Sequence, residues 1–301
     1  MKIPSASILH HNITMNRSTL IKTIFLTILC YGFYTTCLSQ NFKKDKRKII
    51  ADLKRAFALD QKVRHEYNAC VSNPGSKTGN CEEKRKNLVT QDSINQQVVA
   101  KVLDQYGWLS KKQITQQANK AFFYVIQHAP LQFQAKYANL IDTAFRKGEI
   151  SSIEYAFFVD RFRTKQGFSQ LYGTQAETDN LGNSYLYPLK NWNTVNNIRA
   201  NLKLPSLDLA KIPEYSLYPK VINGDTIVLI GHVFDKANIP IPNAIVSLDS
   251  KFLGQSNDKG FFIINLKRPS EGAKILIQVK EKQNRVSIKG LKDFYNIYMQ
   301  L

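Results

Sequence analysis

Thr226-Ile-Val-Leu-Ile-Gly-His-Val-Phe234 is where the chain changes period. Its β-branched and aromatic residues run without helical spacing, which reads as a strand. Ala244-Ile-Val-Ser-Leu248, Gly260-Phe-Phe-Ile-Ile264 and Ile275-Leu-Ile-Gln-Val279 follow at short intervals. Turn signals at residues 235–238, at Asn257-Asp-Lys-Gly260 and at Glu271-Gly272 separate them. Short strands so spaced predict a small antiparallel β-sandwich over residues 226–301. On the N-terminal side, Pro205, Pro213, Pro219 and Asn223-Gly224 break any helix. Residues 205–225 therefore read as a linker.

Before the linker the period is helical, and residues 40–204 read as an all-α domain. Ile49, Ile50, Leu53, Phe57 and Asp60 follow helical spacing in a first helix. A second starts at Glu82, carries Leu88, Ile94, Val98, Val99, Val102 and Leu103, and ends at Gly107-Trp108. Ser110 with Gln113 reads as a capping box for a third, whose stripe is Ile114, Ala118, Ala121, Phe122 and Val125. Pro130 suits the first turn of a fourth, with Leu131, Ala135, Ala138, Ile141 and Phe145 inward and Gly148 past its end. Ser151 and Glu154 cap a fifth that holds Ile153, Ala156 and Phe157, and a shorter helix covers residues 195–202. The fold class is thus multidomain, α then β.

The longest apolar run, residues 23–34, is too short to span a bilayer. Arg17 and Lys22 precede it and Thr35, Thr36 and Ser39 follow, the order of a secretory signal peptide. Residues 1–39 are read as that signal, cut after Ser39, with Met1 or Met15 as the start. An uncleaved anchor is the alternative. Tyr34 and Thr36 argue against a lipid-anchored Cys37. The mature chain would have no transmembrane span and would be exported, to the periplasm or beyond the cell. Only Cys70 and Cys81 would remain, and in an oxidising compartment they are expected to form a disulfide. No His, Asp or Glu lies between them, so a metal site is not expected there, and Gly75-Ser-Lys-Thr78 lacks the spacing of a phosphate loop.

A formal net charge of +19 keeps +16 once the three basic residues of the signal are removed. Much of the excess lies in Lys43-Lys-Asp-Lys-Arg-Lys48 and Lys84-Arg-Lys86. These are either a solvated surface or an attraction to an anionic envelope polymer, lipid or nucleic acid. No aromatic residues interleave with them as stacking platforms would. With 43% hydrophobic residues and only 14 Gly and 10 Pro, disordered, collagen-like and multi-span membrane classes are excluded.

His128 and Asp160 stand on stripes otherwise apolar, so a buried carboxylate at Asp160 needs a partner. Candidates are His128, Arg161, Arg199 and Gln170-Leu-Tyr-Gly-Thr-Gln175. Gln127-His-Ala129, Gln134, Gly148-Glu149, Asp160-Arg161 and residues 170–175 resemble the signature of the bacterial domain-of-unknown-function family 6624. Asp92, Asn95, Gly107-Trp108 and Arg199 fit its flanks, so the resemblance covers about residues 60–215. One departure is Pro130, where an aspartate is expected. The resemblance lends no activity. Gly231-His-Val-Phe-Asp235, Ile239-Pro-Ile-Pro-Asn-Ala244, Val246 and Asn257-Asp-Lys-Gly-Phe-Phe262 resemble a second family, the carboxypeptidase regulatory-like (transthyretin-like) module. That resemblance implies a non-catalytic sandwich on an exported protein. Asn243 departs from the glycine of its Pro-Gly-Ala turn, and His232 reads as a strand residue.

Three functions compete. One is an exported binding or structural protein in which the His128, Asp160 and 170–175 cluster is a polar core or a ligand pocket. Its ligand-facing candidates are Gln127, His128, Asp160, Arg161, Gln170, Tyr172, Thr174 and Gln175. The second is a hydrolase with His128 as general base oriented by Asp160. The third is a binder of anionic polymer through the basic clusters. Another exported protein is a further possible partner. No cofactor or metal is called for, and neither a Gly-x-Ser-x-Gly elbow nor a His-Glu-x-x-His helix is present.

Overall fold

The computed structural model describes residues 17–71, 81–178, 184–208 and 219–301. Residues 52–301 form one compact unit, and the residues before them belong to another. Six helices come first: α1 (Arg17–Val71), α2 (Cys81–Tyr106), α3 (Gln116–His128), α4 (Leu131–Arg146), α5 (Ser152–Lys165) and α6 (Val195–Asn201). Cys70 and Cys81 are bonded across the α1–α2 connection with their Cα atoms 5.8 Å apart. Positions 72–80 of the turn-rich loop between them lie outside the described residues, as do 1–16 of the expected signal.

Helix α3 is the hub, packing against α2, α4 and α5. Its neighbours bury Phe123 and Ile126 as well as the expected Ala118, Ala121, Phe122 and Val125. Ser110 and Gln113 do exchange capping-box hydrogen bonds, Ser110 N to Gln113 Oε1 at 2.8 Å and Gln113 N to Ser110 Oγ at 3.3 Å. They close a separate turn, however, and the N-cap of α3 is Thr115, which accepts from Ala118 N. The Ser151–Glu154 box does open α5.

Two helix faces correct the expected stripes. On α4 the buried residues are Gln134, Tyr137, Ile141 and Ala144, while Ala135 is exposed. Polar-tipped residues take the inside because their tips find partners there: Gln134 Nε2 donates to Gln127 O, and the Tyr137 hydroxyl to Asp104. On α5, Ala156, Phe158 and Asp160 turn inward, leaving Ile153 and Phe157 at 54% and 38% exposure. That helix is apolar on several sides, so spacing alone cannot choose its inner face. Ile94 of α2 is likewise exposed.

Between α5 and α6 the chain forms a short antiparallel hairpin, β1 (Ala176–Thr178) with β2 (Ser184–Leu186), where only helices were expected. Seven strands follow: β3 (Thr226–Phe234), β4 (Ile245–Leu248), β5 (Lys251–Gln255), β6 (Phe261–Lys267), β7 (Lys274–Val279), β8 (Lys282–Ser287) and β9 (Phe294–Gln300). They make two sheets, ordered β6-β3-β9 and β5-β4-β7-β8. All neighbours are antiparallel except β3 and β9, so the first sheet is mixed. Between the sheets lie Leu229, Val246, Phe262, Ile275, Ile277 and Ile297.

The unbroken apolar run of β3 has a structural cause. Its other face, Val228 and Ile230, packs with Ile222, Phe261, Phe294, Tyr187 and Trp192. A strand covered on both faces loses the alternation of a half-exposed one. Gly231 lies under the ring of Phe262, where a Cβ would sit 2.0 Å from the ring. The segment before β3 pairs with the chain after β2: Trp192 N donates to Lys220 O and Ile222 N to Lys190 O. Asp293, just ahead of β9, accepts from Ser169 N and Oγ at 2.9 and 2.6 Å.

Candidate functional site

Asp160 is fully buried, and its partner is the loop that follows its own helix. Oδ1 accepts from Leu171 N at 2.7 Å and Tyr172 N at 3.0 Å; Oδ2 accepts from Thr174 N and Thr174 Oγ1, both at 3.0 Å. Gly173, at φ +71°, gives the loop the left-handed residue it needs to aim several amides at one carboxylate. Gln170 braces the loop from within, donating to Gln175 O and Tyr187 O while accepting from Gln175 N. Arg199 braces it from outside, at 2.6 Å from Tyr172 O. Burial pushes the Asp160 carboxyl up, and the three amides and one hydroxyl pull it back. Asp160, Gln170, the Tyr172 amide, Thr174 and the Gln175 backbone are therefore committed to holding this loop.

His128 is engaged elsewhere. The sequence offers it as one of several partners for Asp160; the structure gives that part to residues 171–174, another of those candidates, and sets Asp60 of α1 against the ring, with Oδ1 3.0 Å from His128 Nδ1. The oxygens of Asp160 are taken up by the loop amides and the Thr174 hydroxyl. Asp60 is 1% exposed and also accepts from Arg64 Nε at 3.2 Å and Gln61 Nε2 at 2.8 Å. Arg64 in turn reaches Asp92 of α2 at 2.5 Å. Desolvation opposes the charge on Asp60, but His128 and Arg64 outweigh it and hold the carboxyl below the usual range. Burial lowers His128 despite the pull of Asp60, favouring a neutral ring at pH 7. With Nδ1–H donated to a carboxylate, Nε2 is the basic nitrogen. The ring keeps 16% exposure, and no described residue hydrogen-bonds to Nε2.

Arg161 connects the two clusters. Its Nε donates to Gln175 Oε1 at 2.9 Å, and Nη1 lies 3.5 Å from Gln127 O. One turn on, Lys165 Nζ donates to Ala129 O at 2.7 Å. Lys165 is exposed along its length, but partial burial of its ammonium, with Arg161 and Arg64 nearby, brings it down to about 8. Among the described residues neither Arg161 nor Lys165 has a carboxylate within ion-pair distance. Gln127 is buried, donating to Phe157 O. The Tyr172 side chain lies with Ala156 and Leu204.

The eight candidates thus divide: Gln127, His128 and Arg161 lie at the end of α3, and Asp160, Gln170, Tyr172, Thr174 and Gln175 at the loop. Sequence reasoning missed Arg64 and Lys165 as site residues and gave Asp92 and Asp60 no role. Asp60 did carry a signal, because it continues the Leu53–Phe57 stripe and ends it with a charge. Arg64 is four residues on, the spacing of a helical ion pair.

Polar groups at other features are already engaged. A cavity of about 280 Å³ is lined by Lys111, Asn119, Phe123, Glu149 and Glu154, but Glu149 already accepts from Lys111 N and Asn119 Nδ2. Arg85 of the second basic cluster is held twice by Glu82 at 2.8 Å. Among the described residues no three His, Cys, Asp or Glu side chains gather as metal ligands, and no helix is long and apolar enough to cross a membrane. His232 is buried in the sheet, stacked on Tyr298 at 5.0 Å.

Comparison with curated proteins found no match. Among solved structures, the C-terminal domain of the Caf1A usher is similar at 18% identity, covering 25% of this chain and 92% of that one, with a TM-score of 0.18. The model of a family of unknown function, DUF6624, matches residues 53–215, which include α2 to α6 and every candidate site residue named above. More than half of the chain lies in that match, and the protein belongs to the DUF6624 family.

Proposed function

We propose that residues 53–215 are a ligand-binding domain of an exported protein, with the site at His128. The observation that carries this is the company His128 keeps. Asp60, Arg64, Asp92, Arg161 and Lys165 come from α1, α2 and α5 to one end of α3. Gathering so many ionisable groups costs desolvation that apolar residues of the same size would avoid. Perturbed ionisable groups beside a part-open ring are the usual mark of a functional site.

The test compares the full chain with His128→Ala in a thermal-shift screen of small polar compounds. A binding site predicts a variant whose melting temperature is within about 3 °C of the parent and which loses stabilisation by at least one compound. A variant that melts far lower, with no compound stabilising the parent alone, makes the cluster scaffold. The Asp60–His128 contact favours a second reading, a hydrolase with Nε2 as general base. In that reading Asp60, not Asp160, orients the ring.

Export rests on the order of basic, apolar and small residues in 1–39, and the Cys70–Cys81 bond suits an oxidising compartment. N-terminal sequencing of the exported product checks it, with Gln40 expected first. The two sheets are read as a carboxypeptidase regulatory-like contact module. Support comes from Asn243, which takes a φ of +56° at the turn where that module has glycine. Binding of anionic polymer through residues 43–48 is the remaining alternative; charge-neutral substitutions there would leave retention on an anionic matrix unchanged if it is wrong.

A further inference from the structure

We infer that the ligand held at His128, Arg161 and Lys165 is a small oxyanion of the phosphate or carboxylate type. This inference rests on the ligand-site reading above and specifies its ligand. Arg161 and Lys165 are four residues apart on α5, hence on one face. Both reach the last carbonyls of α3, Arg161 towards Gln127 O and Lys165 onto Ala129 O, on either side of His128. Of the guanidinium, Nε is satisfied by Gln175, and beyond the long contact to Gln127 O its other N–H groups meet no acceptor among the described residues.

Charge and geometry give the sign of the missing group. Arg64 is matched by Asp60 and Asp92, so the half-buried Arg161 and the exposed Lys165 beside it have no carboxylate of their own. Arg161 is the cation left without a counter-charge. Asp160, adjacent in sequence, cannot supply it, because its oxygens face the loop amides. A guanidinium with free forked donors and an ammonium beside it suit an oxyanion, which accepts from both. His128 would complete the set, donating from Nε2 once protonated.

The experiment is a calorimetric titration of the full chain at pH 7 with inorganic phosphate, with sodium acetate and with chloride at matched ionic strength. Saturable binding of phosphate or acetate is expected, weakened at least tenfold in Arg161→Gln and in Lys165→Met and unchanged in Lys112→Gln, an exposed control. Whichever anion binds tighter assigns the ligand to the phosphate or the carboxylate type. By NMR the bound anion should raise the titration midpoint of His128 in the parent and not in Arg161→Gln, a readout that reports on folded variants only. Equal binding of chloride, or variants that bind as the parent does, overturns the oxyanion. If neutral compounds bind and are lost with His128→Ala while no anion binds, the oxyanion fails and the ligand site stands. If nothing that binds the parent is lost with His128→Ala, both fail.

Discussion

Asp60 and Asp160 are both buried aspartates of one helical domain, yet they do opposite things. Asp160 is surrounded by donors from a single loop, three amides and a hydroxyl, all from residues 171–174. Asp60 is held by side chains, from Gln61, Arg64 and His128, at the edge of a part-open cluster with surplus cations. Backbone donors cannot move without unfolding the loop, so the first arrangement specifies structure. Side-chain donors can turn without unfolding the backbone, so the second arrangement is the one compatible with the proposed ligand site. A buried carboxylate alone does not separate the two cases; the identity of its donors does.

The comparison breaks most visibly at Asp160. Asp160→Ala would leave three amides and a hydroxyl without an acceptor, at about 1–3 kcal/mol for each that water cannot reach. A loss of about 4 kcal/mol or more in denaturant unfolding is expected, with residues 170–175 losing amide protection first. Next is the crosslink. Replacing Cys70 and Cys81 by Ser should cost about 3 kcal/mol through the freed unfolded chain, read from the same unfolding curves and unchanged by phosphate. Asp60→Asn should cost less, about 1–2 kcal/mol, since Arg64 keeps Asp92 and the amide still accepts from His128.

Arg161→Gln sharpens the contrast further. Removing an unmatched cation should leave stability within about 1 kcal/mol of the parent or raise it, while anion binding is lost. A loss above about 2 kcal/mol would place Arg161 with the scaffold.

The same groups also set a pH dependence. The folded chain resists protonating His128, whereas the unfolded chain takes that proton near the ordinary value of about 6.5. Stability should therefore fall as pH drops through that value and level off at the depressed folded midpoint. His128→Gln should remove this slope. Lys165 contributes higher up: with its folded midpoint at about 8, stability should rise with pH from about 8 towards the ordinary lysine value.

Much of the fold was legible. Residues 226–234 announce β3 from end to end, and the Ser151–Glu154 box marks the start of α5. Strand β8 is not readable because Lys282, Gln283, Asn284 and Arg285 make up most of it, and β5 because its two large apolar residues, Phe252 and Leu253, are adjacent and do not alternate; β9 was missed although its buried residues largely alternate. The face of α4 departs from its spacing because Gln134 and Tyr137 are inside for the sake of their partners, and that of α5 because the helix is apolar on several sides; Asp160 is inside as expected. At the site, His128 was found as a polar residue on an apolar stripe, and Arg161 as the neighbour of Asp160 in the family signature. Asp60 lies 68 residues from His128, and only the packing of α1 beside α3 joins them.

The central claim is that Asp60, and not Asp160, sets the state of His128. Nitrogen-detected NMR of the His128 ring measures this directly in the parent, Asp60→Asn and Asp160→Asn chains. The account predicts a neutral ring at pH 7 with the proton on Nδ1, a midpoint that falls further in Asp60→Asn, and one that stays in place in any folded Asp160→Asn chain. A proton on Nε2, or a midpoint that follows Asp160 and ignores Asp60, would contradict it.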